Sequence, residues 1–294
     1  MVIIRRKNKK IKTSREKPAF FEYLLSNKKA FVGFMMIVLT VLVAIFAPLI
    51  APYDPTAMNV GPILQSPNGK YLMGTDVFGR DVFSRVVYGT RISLIVGLFV
   101  ASMAAIIGTP LGLIAGYYRG WIENLIMRLT DMLFSFPWIL MAMVLAAILG
   151  PGLTTVIIAL PIVYAPQVVR LIRSVTLSIR EKEFIESARL SGETDSSIIL
   201  RYILPNCMGP LIVQVTIIMS FAILAEAAIS YLGLGTQPPT PSWGLMLSDY
   251  ADFLMVAPYL SVFPGISIMF TVIGFNFLGD GLRDILDPRY RKQL

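Results

Sequence analysis

The sequence predicts an all-α, polytopic membrane protein with six transmembrane helices. Three observations predict it. Of 294 residues, 55% are hydrophobic and only 15% charged, where a soluble domain carries about 25% charge. Several uncharged runs exceed the ~20 residues that a helix needs to cross a bilayer. The 26 Lys and Arg are spread unevenly over the intervening segments, as the loops of a membrane protein require. A soluble, wholly buried core does not account for five or more such runs. Cys207 is the sole cysteine, so no intramolecular disulfide forms, and the lack of histidine removes imidazole from metal ligation and acid–base chemistry.

Residues 1–29 are a basic tail with ten Lys or Arg against Glu16 and Glu22. The tail reads as cytoplasmic, either touching anionic membrane lipid or acting only as a topology signal. It does not read as a nucleic-acid site, having no folded basic domain. Residues 30–53 carry no charge and form span 1. No small-residue cleavage pattern follows, so this span is expected to be retained rather than removed as a signal peptide. Residues 54–91 are expected to be extracytoplasmic, with Pro55, Pro62, Asn68-Gly69 and Gly74 as turn markers. Within them, the stretch from Asp76 to Arg91 predicts a short amphipathic helix, because Val82, Phe83, Val86 and Val87 recur at helical spacing. It either lies flat at the membrane interface or covers the top of the bundle.

Residues 92–282 are read as a five-helix transmembrane core. Span 2, Ile92–Tyr118, carries Gly108, Gly112 and Gly116 at a spacing of four, which predicts a close helix–helix seam. No Lys-Ser/Thr follows these glycines, so they are no phosphate loop. Met132–Val169 is uncharged and too long for one span. Gly150-Pro151-Gly152 divides it into span 3 (about 130–149) and span 4 (about 153–171), with Pro137, Pro161 and Pro166 as kink sites. Span 5 runs from about 209 to 231. Residues 233–256 are rich in Gly and Pro and lack Lys and Arg. Span 6 runs from about 257 to 278, and 283–294 form a tail. Six spans put both termini on one side. All Lys and Arg except Lys70, Arg80, Arg85 and Arg91 fall on that side, which predicts cytoplasmic termini.

The exception to this apolar pattern is residues 172–206. Glu181, Glu183, Glu186 and Arg189 alternate with Phe184, Ile185 and Ala188, giving one apolar helical face. Ser187 and Ala188 keep the helix narrow, and Gly192 is a natural C-cap. Thr194 or Asp195 can cap a second helix, Ser196–Leu204, ended by Pro205. Two short helices under the bundle would present small residues to a partner's groove and acids to its basic groups. The plain alternative is a loop that only joins spans 4 and 5.

Glu186-Ser187-Ala188-Arg189-Leu190-Ser191-Gly192, with Leu204-Pro205 downstream, resembles the signature of permease subunits of binding-protein-dependent ABC importers. Ser187 stands where the usual motif has Ala, a small-for-small change. The resemblance implies an ABC importer type I permease fold. It also implies a coupling segment, made here by Glu183, Glu186, Ser187, Ala188, Gly192, Leu204 and Pro205, that docks on an ATP-binding subunit. Implied partners are a paralogous permease subunit in a heterodimer, two ATP-binding subunits and an extracytoplasmic substrate-binding protein. ATP and Mg would sit on the ATP-binding subunits. This chain has no Walker-type loop and is expected to bind no cofactor or metal and to have no catalytic residue.

Gly74–Asp81, Tyr88–Leu94, Tyr231–Gly244, Asn276–Asp284 and Leu286–Arg289 are similar to the second membrane subunit of dipeptide and oligopeptide permeases in the inner (plasma) membrane. Nickel importers and antimicrobial-peptide uptake systems share these motifs. The resemblance makes Thr75–Tyr88 and Gly235–Asp252 the region that receives the binding protein, with Asp76, Arg80, Asp81 and Arg85 as candidate contacts. Glu226, an acid inside span 5, is costly unless it faces water or a partner. It either holds a peptide ammonium at the outer gate or makes a structural hydrogen bond, and Trp243 is the second gate or pathway candidate. A secondary transporter would show paired ionisable residues at mid-membrane, and a scaffold leaves the central segment unexplained. An intramembrane enzyme would need a catalytic cluster, which the sequence lacks.

Overall fold

In lipid the backbone has only its own hydrogen-bonding groups to pair with, so each long uncharged run becomes helical. A computed structural model describes residues 27–286. The basic tail up to Ser26, and Arg289, Arg291 and Lys292 near the other end, lie outside the described residues, as do the expectations placed on them. In chain order the elements are α1 Lys28–Ile45, α2 Ala47–Ile50, α3 Val82–Tyr118, α4 Gly120–Phe134, α5 Trp138–Leu149, α6 Leu153–Arg180, α7 Glu183–Leu190, α8 Asp195–Ile198, a π turn Ile199–Ile203, α9 Leu204–Tyr231, α10 Trp243–Asp249, a 3₁₀ turn Ala251–Phe253 and α11 Tyr259–Leu286. Among the described residues five helices are long and apolar enough to cross a membrane: α1, α3, α6, Asp195–Tyr231 and α11. The bent pair α4 and α5 makes a sixth if counted as one span.

The most extensive helix contact is between α3 and α6, and the glycine ridge makes it. A Cβ on Gly108 would come 2.6 Å from Val168 Cβ, one on Gly112 2.7 Å from Ile172 Cβ, and one on Gly116 2.6 Å from Thr176 Cβ. Each glycine thus takes one side chain of α6 against bare backbone, which maximises dispersion where no hydrophobic driving force exists. A second seam joins α1 to α11. There Gly33 lies against the backbone of Gly274 and Leu278, and Gly281 lies against Ala30. The main core runs through α3, α6 and α9 and continues downward into α7 and α8. Cys207 is buried in it, 3.9 Å from Thr176 Oγ1.

The elements differ from the sequence expectation at three places. The amphipathic helix expected before Arg91 is not separate: α3 runs unbroken from Val82 to Tyr118. The charge of Arg91 does not interrupt it, because its Nε and Nη2 donate to the carbonyls of Ala44 and Ile45 at 2.6 and 3.1 Å. Span 3 is broken, with α4 and α5 meeting at 88°. Pro137 lacks an N–H and drives the residue before it out of the helical region, while Glu123 and Asp131 tie α4 to Arg173 and Arg170 of α6. Finally, Pro205 does not end a second short helix. The chain passes through the π turn into α9, with Leu204 N donating to Ile199 O. The shift to i→i−5 bonding makes room for the proline ring that an α-helical turn would exclude.

Candidate functional site

α7 is short, and its ends are built for the position it holds. Glu183 and Glu186 lie in its first turn and Arg189 in its last, the arrangement that the helix dipole favours. Its C-terminus closes with Gly192 at φ +81°. Gly192 N donates to Arg189 O at 3.0 Å and Glu193 N to Ala188 O at 3.2 Å, the paired bonds of a Schellman cap. Ile185 and Ala188 are buried in the main core with Tyr117, Ile179, Ile198 and Ile203. Opposite them Glu183, Phe184, Glu186, Ser187, Arg189 and Leu190 are exposed, and Leu190 is 85% exposed. One face therefore clamps α7 beneath the bundle while the other offers acids, a base, a small residue and two large apolar side chains.

Of the residues assigned to the segment from sequence, Glu183, Glu186, Ser187 and Gly192 lie together on this open side. Ala188 turns inward. Leu204 is half-buried and Pro205 exposed, at the start of α9. The residues that position the segment carry no local sequence signal. Tyr117 OH donates to Asp195 Oδ1 at 2.6 Å, tying the end of α3 to α8. The guanidiniums of Arg180 and Arg189 lie 5.8 and 5.4 Å from the same ring. Glu193 accepts from the hydroxyls of Ser197 and Tyr202; the Ser197 bond leads in holding its carboxyl below the usual range, so it stays ionised. Arg119 and Glu181 pair at 3.4 Å with both side chains exposed, a contact of little energetic weight.

At the other end of the bundle the four candidate binding-protein contacts are all buried. Asp76 accepts from the N–H groups of Phe78 and Arg80 at 2.8 and 2.9 Å, from Arg80 Nε at 2.5 Å and from Tyr250 OH at 2.9 Å. Asp81 caps α3 by accepting from Ser84 N at 2.8 Å and Ser84 Oγ at 2.6 Å. Arg85 Nη1 donates to Pro55 O at 3.0 Å. The sequence reading makes these side chains contacts for an incoming protein; in this chain they lie inside the loop and not on its surface. Asp76 pairs with Arg80, while Asp81 and Arg85 bind Ser84 and backbone; Arg80 Nη2, Asp81 Oδ1 and Arg85 Nε are buried without a hydrogen-bond partner, and the four shape the loop. Asp249, 4.0 Å from Arg80, has its carboxyl raised by burial, against the opposing pull of Arg85 and Arg80.

The two gate candidates are buried as well. Glu226 Oε1 accepts from Ser230 Oγ at 2.7 Å and Thr236 Oγ1 at 3.2 Å. Trp243 Nε1 donates to Val86 O at 2.9 Å, its ring against Gly89. Both lie where α10 packs on α9 and the start of α3, and neither stands in an open passage of this chain.

Residues 108–292 match the family model described as binding-protein-dependent transport system inner membrane component. Residues 19–67 match that of the N-terminal TM domain of oligopeptide transport permease C. The chain is 49% identical to the dipeptide transport system permease protein DppC of Alkalihalophilus pseudofirmus, over 92% of this chain and 89% of that one. It is 43% identical to a putative peptide transport system permease protein of Brucella abortus, over 92% and 91%. It is 40% identical to the glutathione transport system permease protein GsiD of Pectobacterium atrosepticum, over 92% and 91%. The fold is similar to that in a solved structure of the MetNI methionine ABC transporter in inward-facing conformations, with a TM-score of 0.58 and 20% identity over 69% of this chain and 97% of that one.

Proposed function

Because the chain belongs to the family of binding-protein-dependent transport system inner membrane components, we propose that it is one of two paralogous permease subunits of an ATP-driven importer of dipeptides or oligopeptides. The permease C domain match and the peptide-transport names of its relatives support that substrate class. The other permease subunit completes the pathway. Two ATP-binding subunits hold ATP and Mg and carry out hydrolysis. An extracytoplasmic binding protein delivers the peptide to the outer layer between Thr75 and Tyr88 and between Gly235 and Asp252. Both termini and α7 lie in the cytoplasm.

One observation carries the coupling role: α7 is held from above by Ile185 and Ala188 and open below. Closure of the ATP-binding subunits moves α7, and because its inward face belongs to the main core, the motion reaches α3, α6 and α9. This is a switch between two bundle arrangements. Glu183, Glu186, Ser187 and Gly192 make the contact, and Ala188, Leu204 and Pro205 fix its position. Glu226 and Trp243 act at the outer gate by setting where α10 lies, not by touching peptide.

The test is the four-subunit transporter in proteoliposomes with its binding protein. Glu186→Ala and Gly192→Pro should lower binding-protein-stimulated ATP hydrolysis and peptide uptake, or recovery of the ATP-binding subunits, and leave affinity for the loaded binding protein unchanged. Normal coupled uptake by the Gly192→Pro transporter would defeat the assignment of α7. Binding of peptides to the purified binding protein decides the substrate class independently.

A further inference from the structure

A cavity of about 330 Å³ lies between α1, the start of α3, α10 and α11, within the range of about 300–1,000 Å³ that small ligands occupy. Four hydroxyls and one indole N–H line it, and none is free. Thr40 donates to Met36 O, Thr90 to Val86 O, Ser267 to Phe263 O and Thr271 to Ser267 O. Trp243 donates to Val86 O. The rest of the lining is apolar and uncharged. Each of these protons is already given to backbone, so the carbonyls of a peptide would find no donor there, and unpaired burial of those groups is costly. Hydrocarbon would lose nothing.

The position of the cavity points to the source of that hydrocarbon. Leu39 and Ile266 stand in its wall and are also among the exposed large apolar residues of α1 and α11, so the cavity wall is continuous with the lipid-facing surface. α1 has 18 residues, about 27 Å of helix, close to the ~30 Å hydrocarbon thickness. With Lys28 at one interface, its far end at Ile45 lies at the other. There Arg91, next in sequence to Thr90 of the lining, is pinned to Ala44 O and Ile45 O and stacked 5.3 Å from the Tyr88 ring. The Arg91 guanidinium, outside the lining itself, stands at that end of α1, where a spanning helix meets the headgroup region. The pocket opens to that lipid-facing surface past Leu39 and Ile266, and acyl chains are the apolar groups that meet it there.

We propose that this cavity holds one acyl chain of a phospholipid whose phosphate lies at the level of Arg91. The topology given above enters only in naming the outer leaflet as its source. The lipid wedges α1 and α11 against α10, next to the layer that receives the binding protein.

The test uses the assembled transporter in nanodiscs containing a phospholipid with a photoactivatable diazirine near the end of one acyl chain. Peptides spanning Leu39–Val43 and Ser267–Thr271 should be labelled. That labelling should fall to the level of ordinary lipid-facing positions in Val43→Phe and Ser267→Leu, which fill the cavity. It should persist in Leu42→Phe, which alters only the neighbouring exposed surface. Unchanged labelling in both filled variants would overturn the proposal. So would labelling of the isolated chain that vanishes on assembly, since the other permease subunit would then be the occupant. Equal labelling by a diacylglycerol probe would overturn the assignment to a phospholipid. None of these readouts depends on which solute is transported.

Discussion

Gly112 stands at the middle of the α3–α6 seam, where the packing leaves no room for a side chain. A Cβ there would come 2.7 Å from Ile172 Cβ and 2.8 Å from Val169 O, and the second of these is backbone that cannot turn away. Gly112→Ala should cost about 1–3 kcal/mol, the usual range for overpacking a tight core, and Gly112→Leu should abolish recovery of folded protein. Thermal denaturation of the purified transporter, followed by size-exclusion chromatography, reads both. Gly69, with nothing within 4 Å of its Cβ position, is the matching control and should tolerate Ala. Gly69 sits in the exposed loop before α3, whereas Gly112 is held against α6.

At the scale of an element, α4 shows how a broken span is held. Glu123 accepts from both Nε and Nη2 of Arg173 on α6, with side chains 16% and 31% exposed. Asp131 accepts from Arg170 Nη2 at 2.6 Å with side chains 60% and 46% exposed. The first pair is two-pronged and sheltered, the second single and open. Removing Glu123 with Gln should therefore cost about 1–3 kcal/mol, as for a hydrogen bond to a charged group. Asp131→Asn should cost about 0–1 kcal/mol, as for an exposed pair. A double-mutant cycle of Glu123→Gln with Arg173→Gln, measured on thermal stability, should show coupling. Additive losses would mean that α4 is anchored by its apolar face alone.

For the whole molecule, the topology is open to direct measurement. A cysteine placed at Ser187 should react with a membrane-impermeant maleimide only in inside-out vesicles, and one at Gly69 only in right-side-out ones. Cys207 is buried and should give no background. Labelling of both from one side would overturn the orientation.

The number of spans, the glycine seam and the Gly192 cap were legible because each rests on local chemistry: missing charge, small residues every four positions, a glycine after an amphipathic turn. The α1–α11 seam of Gly33, Gly274 and Gly281 was not, since its partners lie at opposite ends of the chain and no single helix carries a full ridge. The bend at Pro137 was visible as a proline, but its size depended on where the charges of α4 found partners. The fate of Asp76, Arg80, Asp81 and Arg85 was the largest gap. A charged loop reads as exposed until its carboxylates and guanidiniums are found to face one another, and Tyr250, which completes that network, is 174 residues from Asp76.

The passage from Asp195 to Tyr231 is 37 residues of helix, about 55 Å of rise, longer than a bilayer with its headgroups. It begins beside Tyr117 under the bundle and reaches Glu226 and Ser230 beside the outer layer. A shaft of this kind has stiffness but no bearing. Displacement imposed at one end of it would reach the other as tilt or rotation, less what is taken up at the π turn Ile199–Ile203 and at Pro210 inside α9. Shortening the π turn by one residue, to an α-helical turn, would advance every residue after it by about 100° relative to α7.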